Sequence, residues 1–325
     1  MSPTGAGGPA MDDDRGVDGV DGVDGVDGVD GVDGVDGVDG VDGVDGVDGV
    51  RTFPRDAFPL DVVVAAKGGR TVSVCIPAHN EGLTVAQVVD AVRTPHLEEL
   101  GGSGLVDEVI VVDDGSTDGT AAAAAGAGGR VVRLSRRLGK GGAMRAALDA
   151  AAGEVLVFLD ADVENTTAAF VTRLLGPILV GQGDVALVKG YYERPIGGFP
   201  TGGGRVTELL AKPLLEVLFP EHPGLRSVLQ PLAGETAAPR WVLEKVGLAP
   251  GYGVEIGLLV DVVMRFGAGA VAQVDLGSRT HRNRSLVELR PQAVEVLRAA
   301  LDRAALDRAT LGETVRGARG PRPRR

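Results

Sequence analysis

Two aspartates near the middle of the chain, Asp160 and Asp162, have the residue type and spacing of a metal site. They come directly after a run of apolar residues at 155–159, and such a run is typical of a strand buried on both faces of a parallel sheet. Side chains at positions i and i+2 of an extended segment point the same way, so both carboxylates can face one hard cation. Mg²⁺ or Mn²⁺, held by one or two carboxylates and by substrate phosphates, suits this spacing. Because a single Asp-x-Asp motif is common, the rest of the chain has to decide.

Three further polar clusters are predicted at the same edge of the sheet. Residues 77–81 follow the first predicted strand and are also compatible with a turn that leads into a helix. Residues 113–118 follow the second strand and are equally compatible with a helix cap, because Ser, Thr and Asp accept hydrogen bonds from free N–H groups. Residues 139–142 open a helix, where bare N–H groups, the helix dipole and the Lys140 ammonium converge on a natural phosphate site. Ligands of open α/β sheets collect at the carboxyl ends of strands, so four such clusters together indicate a binding site.

Strands alternate with helices along the first two thirds of the chain. This order predicts βαβ units and a doubly wound, mostly parallel sheet in an α/β fold with a C-terminal extension. Beyond about residue 189 the sequence is irregular and predicts mainly loops before a final helix. The predicted strands are 71–76, 108–112, 130–134, 154–159 and 185–189, and the predicted helices are 84–92, one from about residue 117, 140–152, 170–180 and 286–306.

The ends of the chain are predicted to lie outside the folded domain. Val-Asp-Gly recurs eleven times without a break over residues 17–49, and residues 1–50 carry a net charge of −13 against −12 for the whole chain. Evenly spaced aspartates with valine as the main apolar residue bury too little to offset chain entropy, so residues 1–50 are predicted to be a disordered acidic tail. Residues 51–69 are predicted to be a linker, residues 70–312 the catalytic domain with an acceptor and dimer region, and residues 313–325 a disordered basic tail.

Composition and the lack of targeting signals favour a soluble, cytoplasmic protein. The single cysteine, Cys75, lies in an apolar run and is interpreted as a core residue, so an intramolecular disulfide is excluded. No apolar stretch approaches the length of a membrane span, and Met1 is followed by neither a basic region nor an apolar signal core. Residues 51–325 have a net charge of about +1, so the acidic character belongs to the tail alone.

The order of these motifs resembles that of the GT-A nucleotide-sugar glycosyltransferases, with Pro-Ala-x-Asn-Glu, Asp-Asp-Gly-Ser-Thr-Asp, Gly-Lys-Gly and Asp-Ala-Asp in sequence. Five longer motifs in the second half are similar to those of one family, the actinobacterial glucosyl-3-phosphoglycerate synthases. They lie at residues 188–195, 202–209, 230–235, 251–257 and 281–284. The resemblance covers residues 70–300 and implies a retaining GT-A enzyme that transfers glucose from UDP-glucose to the 2-hydroxyl of 3-phosphoglycerate.

The resemblance also implies a donor site and a metal site. Asp162, with Asp160 in support, and His281 are the implied ligands of Mg²⁺ or Mn²⁺, and carboxylate and imidazole ligands suit these ions. A histidine in isolation is more often structural. Glu255, Arg279 and Lys140 are the implied catalytic residues, although Glu255 alone is equally a helix-start carboxylate. The implied nucleotide-sugar-binding residues are Pro77, Ala78, Glu81, Asp114, Lys140, Asp162, Leu232, Glu255 and Arg279.

The implied acceptor site is formed by Gly204, Arg205, Thr207 and Asn283. The planar, paired donors of arginine suit a doubly charged phosphate, and glycines allow close backbone approach. Without the resemblance, this segment is equally well interpreted as a surface loop with a solvated arginine.

Departures from the family pattern affect the nucleotide edge most. His79 stands where an apolar residue is expected, and Asp113-Asp114, Gly190 and Ala233 also differ from the commonest form. The alternatives are therefore a GT-A transferase that uses GDP-mannose or a polyprenyl-phosphate acceptor, a non-catalytic nucleotide-sugar binding protein, and an interaction protein whose function lies in the repeat. The family resemblance also implies a homodimer, with no nucleic-acid partner.

Overall fold

A sheet of nine strands organises the part of the chain described by the computed structural model, which comprises residues 44–45, 49–93, 104–181, 183–193, 204–279 and 285–318. The strand order is β1-β2-β9-β7-β8-β6-β3-β4-β5. The strands are β1 Val44–Asp45, β2 Arg51–Phe53, β3 Val72–Ala78, β4 Glu108–Asp113, β5 Arg130–Arg133, β6 Val155–Phe158, β7 Leu187–Glu193, β8 Thr236–Pro239 and β9 Val271–Ser278.

Helices cover both faces of this sheet, as a doubly wound fold requires. They are α1 Leu60–Lys67, α2 Val85–Arg93, α3 Thr120–Gly126, α4 Gly139–Ala150, α5 Ala168–Leu179, α6 Lys212–Leu218, α7 Arg240–Val246, α8 Val254–Phe266 and α9 Leu286–Ala318. A π-helical turn, Thr207–Ala211, leads directly into α6. The predicted α/β class with a mostly parallel sheet is confirmed.

The central strands are buried on both faces, which explains their unbroken apolar runs. Successive residues of β3 alternate between two cores: Cys75 packs with α4 and α8, whereas Val74 and Ile76 pack with α2 and α5. Cys75 is fully buried, as predicted, and burial raises the pKa of its thiol. The carboxyl ends of β3, β4 and β6 therefore meet at one edge, since β3 pairs parallel with both neighbours.

One strand reverses the parallel pattern at the centre of the sheet. β8 lies antiparallel between β6 and β7, with Phe158 opposite Thr236 and Lys189 opposite the same residue. The start of β8 therefore adjoins the carboxyl end of β6 and the middle of β7. This reversal brings residues 233–235 to the edge where Asp160 and Asp162 emerge.

The prediction of a linker at residues 51–69 was wrong. β2 pairs parallel with β9, and α1 packs its buried Val63 into the same core as Phe58 and the α5 helix. Phe53 and Phe58 also contact each other, with ring centroids 4.9 Å apart. The aromatic and β-branched residues that gave this stretch its unusual composition are thus core residues rather than spacers.

Two residues of the repeat also depart from the prediction of a disordered tail. Val44 pairs with Thr52 and Asp45 with Arg51, so β1 forms the antiparallel edge of the sheet. Residues 1–43 and 46–48 lie outside the described residues.

The prediction of a loop-rich region beyond residue 189 was wrong as well. α8 and β9 are buried on nearly all sides, with nine buried residues in α8 alone. α8 has few polar residues and is buried on most sides, so it lacks the broad polar face by which a sequence pattern identifies an amphipathic helix.

The final helix was predicted correctly at its start but ends at Ala318 rather than residue 306. It docks on α8 through an Arg303–Asp261 ion pair of 2.5 Å. The prediction of a disordered segment at residues 313–325 was therefore wrong for residues 313–318, while residues 319–325 lie outside the described part. Among the described residues no single helix is long and apolar enough to cross a membrane; one pair bent by 119°, Arg240–Val246 with Gly251–Phe266, reaches the required length and composition.

Candidate active site

Asp160, just beyond the carboxyl end of β6, joins two cations that come from distant parts of the chain. Lys140 Nζ lies 2.5 Å from Asp160 Oδ1, and Arg279 Nη2 lies 2.8 Å from Asp160 Oδ2. Each carboxylate oxygen thus accepts one charge-assisted hydrogen bond, the strong class in proteins. Burial alone would raise the Asp160 pKa, but the two cations hold it well below its ordinary value. Asp160 therefore stays charged and connects Lys140 with Arg279.

Lys140 connects Asp160 to the start of α8. Its ammonium lies 2.6 Å from Glu255 Oε1 as well as against Asp160. Lys140 is the second residue of α4 and Glu255 the second residue of α8, so both project from helix N-termini. Burial opposes the charged form of Lys140, yet the two carboxylates raise its pKa above the ordinary value. The structure thus brings Lys140 and Glu255, which the resemblance implied for the nucleotide sugar, together with Asp160, which it implied in support of the metal.

Arg279 follows β9 and closes the other side of the site. Besides Asp160, its guanidinium lies 3.4 Å from Asp162 Oδ1 and 3.3 Å from Glu235 Oε2. It also donates to the Tyr192 hydroxyl at 2.6 Å. Burial would lower the Arg279 pKa, but these carboxylates keep it well above its usual range.

The donor set fits a divalent cation of the Mg²⁺ or Mn²⁺ type. Four carboxylates, those of Asp160, Asp162, Glu235 and Glu255, converge on two cationic side chains, which leaves an excess of acceptor oxygens. Lys140 and Arg279 hold the two oxygens of Asp160 at 2.5 and 2.8 Å, whereas Arg279 lies 3.4 Å from Asp162 Oδ1; the two carboxylates are almost equally exposed, at 19 % and 18 %. The longer contact to Arg279 makes Asp162 the better candidate ligand, while Asp160 fixes its neighbours. Within the described residues these carboxylates contact the two cations and no three of them are grouped so as to hold a metal ion by themselves; His281, the third ligand implied by the resemblance, lies outside the described residues.

At the nucleotide edge, Pro77 and Ala78 end β3, with Ala78 opposite Asp113 of β4. Asp114 lies next to this pair and accepts hydrogen bonds from the backbone N–H groups of Leu138 and Gly139, at 2.6 and 2.8 Å. The Asp114 carboxylate thus orders the entry to α4 and brings the two halves of the edge together.

Local structure also accounts for the remaining polar residues of this edge. Asp118 accepts a hydrogen bond from the Thr120 N–H at 3.0 Å, within the turn that precedes α3. The helix-cap interpretation is wrong for this residue, because Gly119 occupies the N-cap position and α3 has no side-chain cap. Asn80 adopts a left-handed conformation, with φ at 58°, and its side chain accepts from the Thr117 N–H. The backbone N–H of Glu81 donates to Thr120 Oγ1 at 2.9 Å.

The described residues that were predicted for the acceptor site, Gly204, Arg205 and Thr207, lie at the start of the α6 region. Gly204 accepts a hydrogen bond from the Glu208 N–H, Arg205 is exposed, and Thr207 is buried at the first position of the π-helical turn. Such turns occur often at functional sites. Asn283 lies outside the described residues, so its predicted role stays a prediction.

The segment before β8 supplies Leu232, which the resemblance implied for the donor site, and Gly234 and Glu235, which were not predicted as site residues. Lys189 and Tyr192 of β7 were not predicted as site residues either. Leu232 packs against the core, and Gly234 lies against the Asp160 carboxylate so closely that a Cβ there would overlap it. Glu235 and Tyr192 contact Arg279, and Lys189 Nζ donates to the Ala233 carbonyl at 2.5 Å. The signal that could have identified them is the placement of charged or polar residues inside otherwise apolar strand segments.

Gly234→Ala should reduce the rate of product formation by about a hundredfold, because the added methyl must displace Asp160 from its two cations, and a shift of that size near reacting groups costs about this much. Steady-state rates measure the loss, and circular dichroism verifies folding. Gly126→Ala is the matched control, since a Cβ at Gly126 meets nothing within 4 Å. Equal rates for both variants would contradict the close contact.

Lys189→Met should change how stability depends on pH. Burial lowers the pKa of Lys189 from 10.5 to about 8, so the folded protein binds fewer protons than the unfolded chain between these values. The free energy of unfolding should therefore rise by about 3 kcal/mol from pH 8 to 10.5 and fall again as pH drops through 8, and the variant should lack this contribution.

Urea unfolding at several pH values measures the difference between the two curves. Lys212→Met is the control, because Lys212 forms a surface ion pair with Glu208 that is 38 % exposed on both sides. Parallel curves for the wild type and Lys189→Met would contradict the prediction.

Comparisons with known proteins add to this geometry. The model of the family described as "Glycosyl transferase family 2" matches residues 73–218. The chain is 46 % identical over 285 residues to the glucosyl-3-phosphoglycerate synthase of Mycolicibacterium paratuberculosis, covering 83 % of this chain and 84 % of that protein. Two solved structures of glucosyl-3-phosphoglycerate synthase from Mycobacterium tuberculosis are also similar. One is a complex with Mn²⁺, uridine-diphosphate-glucose and phosphoglyceric acid, at 46 % identity and a TM-score of 0.68 over 76 % of this chain and 84 % of that one. The other is a complex with Mg²⁺ and uridine-diphosphate, at 44 % identity and a TM-score of 0.70 over 78 % and 86 %.

Proposed function

The chain belongs to the glucosyl-3-phosphoglycerate synthases, hexosyltransferases of glycosyl transferase family 2, and on this premise we propose that it moves glucose from UDP-glucose to the 2-hydroxyl of 3-phosphoglycerate. The products are glucosyl-3-phosphoglycerate and UDP. The single observation that carries the proposal is Lys140, whose ammonium joins Asp160, at the metal position, to Glu255, at the sugar position, within 2.6 Å of each.

In the proposed reaction the bond between the glucose anomeric carbon and the diphosphate oxygen breaks, and a bond to the acceptor oxygen forms. Negative charge grows on the departing diphosphate, and Arg279 and Lys140 stabilise that charge at fixed positions, without reorganisation. The proton of the acceptor hydroxyl passes to the departing diphosphate. Glu255 orients the glucose through its hydroxyl groups. Approach of the acceptor on the face that the UDP leaves gives retention of the anomeric configuration.

Asp162 and His281, with Asp160 in support, are the residues proposed to hold Mg²⁺ or Mn²⁺. When bound, the ion would neutralise charge on the diphosphate as a Lewis acid. The longer contact of the Asp162 carboxylate with Arg279, 3.4 Å against 2.8 Å for Asp160, supports this assignment. The uridine is assigned to Pro77, Ala78, Glu81, Asp114 and Leu232, since the first four flank the ends of β3 and β4 and Leu232 lies in the segment before β8.

For the acceptor, the proposal assigns the phosphate of 3-phosphoglycerate to Gly204, Arg205, Thr207 and Asn283. The exposure of Arg205 and the burial of Thr207 on the turn that begins α6 support this assignment. The proposal also includes a homodimer in the cytoplasm and a place in glucosylglycerate and methylglucose lipopolysaccharide synthesis.

The test is UDP release from UDP-glucose and 3-phosphoglycerate with Mg²⁺ or Mn²⁺, read by a coupled assay with mass spectrometry of the product. GDP-mannose as the donor and a polyprenyl phosphate as the acceptor form the comparison arms. Activity in either of those arms alone would support another GT-A transferase. Binding of UDP-glucose without turnover in any arm would support a non-catalytic binding protein.

A further inference from the structure

The side of Arg279 that faces away from Asp160 is held by two buried groups. Glu235 Oε2 lies 3.3 Å from Nη1, and the Tyr192 hydroxyl accepts a hydrogen bond from the same nitrogen at 2.6 Å. The Tyr192 ring also lies against the guanidinium, with 5.1 Å from its centroid to Cζ. Glu235 is 1 % exposed and Tyr192 4 % exposed, so both contacts are shielded from water.

Both groups are themselves fixed by hydrogen bonds within the sheet. The Gly190 N–H donates to the Glu235 carbonyl at 2.8 Å, and the Gln230 amide donates to the Tyr192 carbonyl at 2.5 Å. Lys189 Nζ holds the Ala233 carbonyl in the same segment. These hydrogen bonds hold the backbone of Glu235 and Tyr192 in place, so that their side chains contact Arg279 from fixed positions.

Stability alone does not account for this arrangement. Among the described residues, Glu235 Oε1 and Arg279 Nε are buried without a hydrogen-bond partner. Burying charged groups with unmatched atoms costs free energy, and an apolar substitution of similar size is often neutral or stabilising. The contacts of Glu235 and Tyr192 with Nη1 do, however, balance the attraction of Nη2 to Asp160 and Asp162 on the other side of the guanidinium.

We infer that Glu235 and Tyr192 are positioning residues that hold the Arg279 guanidinium in the site. They fix its Nη1, so that Nη2 is directed to Asp160, Asp162 and the diphosphate. The inference rests on the proposed function of Arg279 at the leaving UDP. Without the rear contacts, the guanidinium would move toward the carboxylates and lose its orientation to the diphosphate.

Tyr192→Phe tests the role of the hydroxyl alone, because it keeps the ring beneath the guanidinium. We expect kcat to fall about tenfold, as for loss of one hydrogen bond to a charged group, with the KM for 3-phosphoglycerate and the thermal midpoint unchanged. Tyr191→Phe is the matched control: this neighbouring hydroxyl donates to the Phe53 carbonyl at 3.5 Å, outside the site, and its loss should leave kcat unchanged.

A double-mutant cycle distinguishes positioning from a general structural effect. In an Arg279→Lys background, Tyr192→Phe should have no further effect on UDP affinity, measured by calorimetry with Mn²⁺, whereas in the wild type it should weaken UDP binding. Additive effects, or an unchanged kcat for Tyr192→Phe, would overturn the inference. Glu235→Gln, which keeps the shape and removes the charge, should behave like Tyr192→Phe; if it fails to fold, the tyrosine cycle still decides.

The affinity measurement also separates the two proposals. If the wild type binds UDP but transfers no glucose to 3-phosphoglycerate, the proposed function fails, while coupling of Tyr192 to Arg279 in UDP binding still supports the positioning role. If glucose transfer is intact and the coupling is absent, the positioning role alone fails.

Discussion

Asp162→Ala should lower the rate of UDP release by about a hundredfold to a thousandfold while leaving the protein folded, because a group that stabilises charge in the transition state contributes this much. The Asp162 side chain is partly exposed and contacts Arg279, which also contacts Asp160 and Glu235. The substitution therefore leaves Arg279 with two carboxylates. The loss should appear in kcat and in the binding of Mn²⁺ in the presence of UDP, measured by calorimetry.

Asp149→Ala is the matched control for this substitution. Asp149 is an exposed carboxylate on α4, so its removal should change neither quantity. Retention of more than about a tenth of the wild-type rate by Asp162→Ala would contradict a metal-binding role, since removal of a metal ligand costs more than removal of an outer contact.

Lys140→Met should impair both activity and stability. The ammonium is shared by Asp160 and Glu255, and its loss leaves the buried Glu255 and the partly buried Asp160 without their common cation. Breaking a buried ion pair by removing one partner costs about 3–5 kcal/mol, and we expect a loss of this order from urea unfolding. Removal of a charge that stabilises the leaving diphosphate should lower kcat by about a hundredfold or more.

Two further variants sharpen this test. Lys140→Arg retains the charge and should recover most of the stability but little of the rate, because a planar guanidinium cannot occupy the point between the two oxygens. Lys245→Met removes an exposed lysine outside the site; it should leave the rate unchanged and lower stability by at most about 1 kcal/mol, because the ammonium contacts the Trp241 and Phe266 rings. A Lys140→Met protein as stable as the Lys245→Met control would refute the shared ion pair.

The first half of the fold was predictable because its signals are local. Apolar runs at residues 108–112 and 154–159 predicted buried strands, and polar residues at their ends predicted the edge at which Asp160 and Asp114 lie. The positions of Lys140 at a helix start and Asp160 beyond a strand end followed from the same patterns.

The second half was less predictable because its signals depend on contacts between distant residues. β8 has four residues that include a proline, and its place between β6 and β7 follows from pairing with both of them. Glu235 and Arg279 have ordinary sequence surroundings, and only the reversal of β8 brings them within 3.3 Å. The family resemblance supplied Arg279 and Glu255, whereas the supports behind Arg279 required the fold.

The hairpin of β1 and β2 has a consequence for inheritance of the repeat. Pairing with Thr52 and Arg51 fixes the positions of Val44 and Asp45, so the repeat units nearest the domain occupy the edge of the sheet. Replication slippage that adds or removes Val-Asp-Gly triplets upstream leaves the same residues opposite that edge, and the reading frame is preserved because each unit is a whole number of codons. Copy number in this tract can therefore drift between lineages without cost to the sheet.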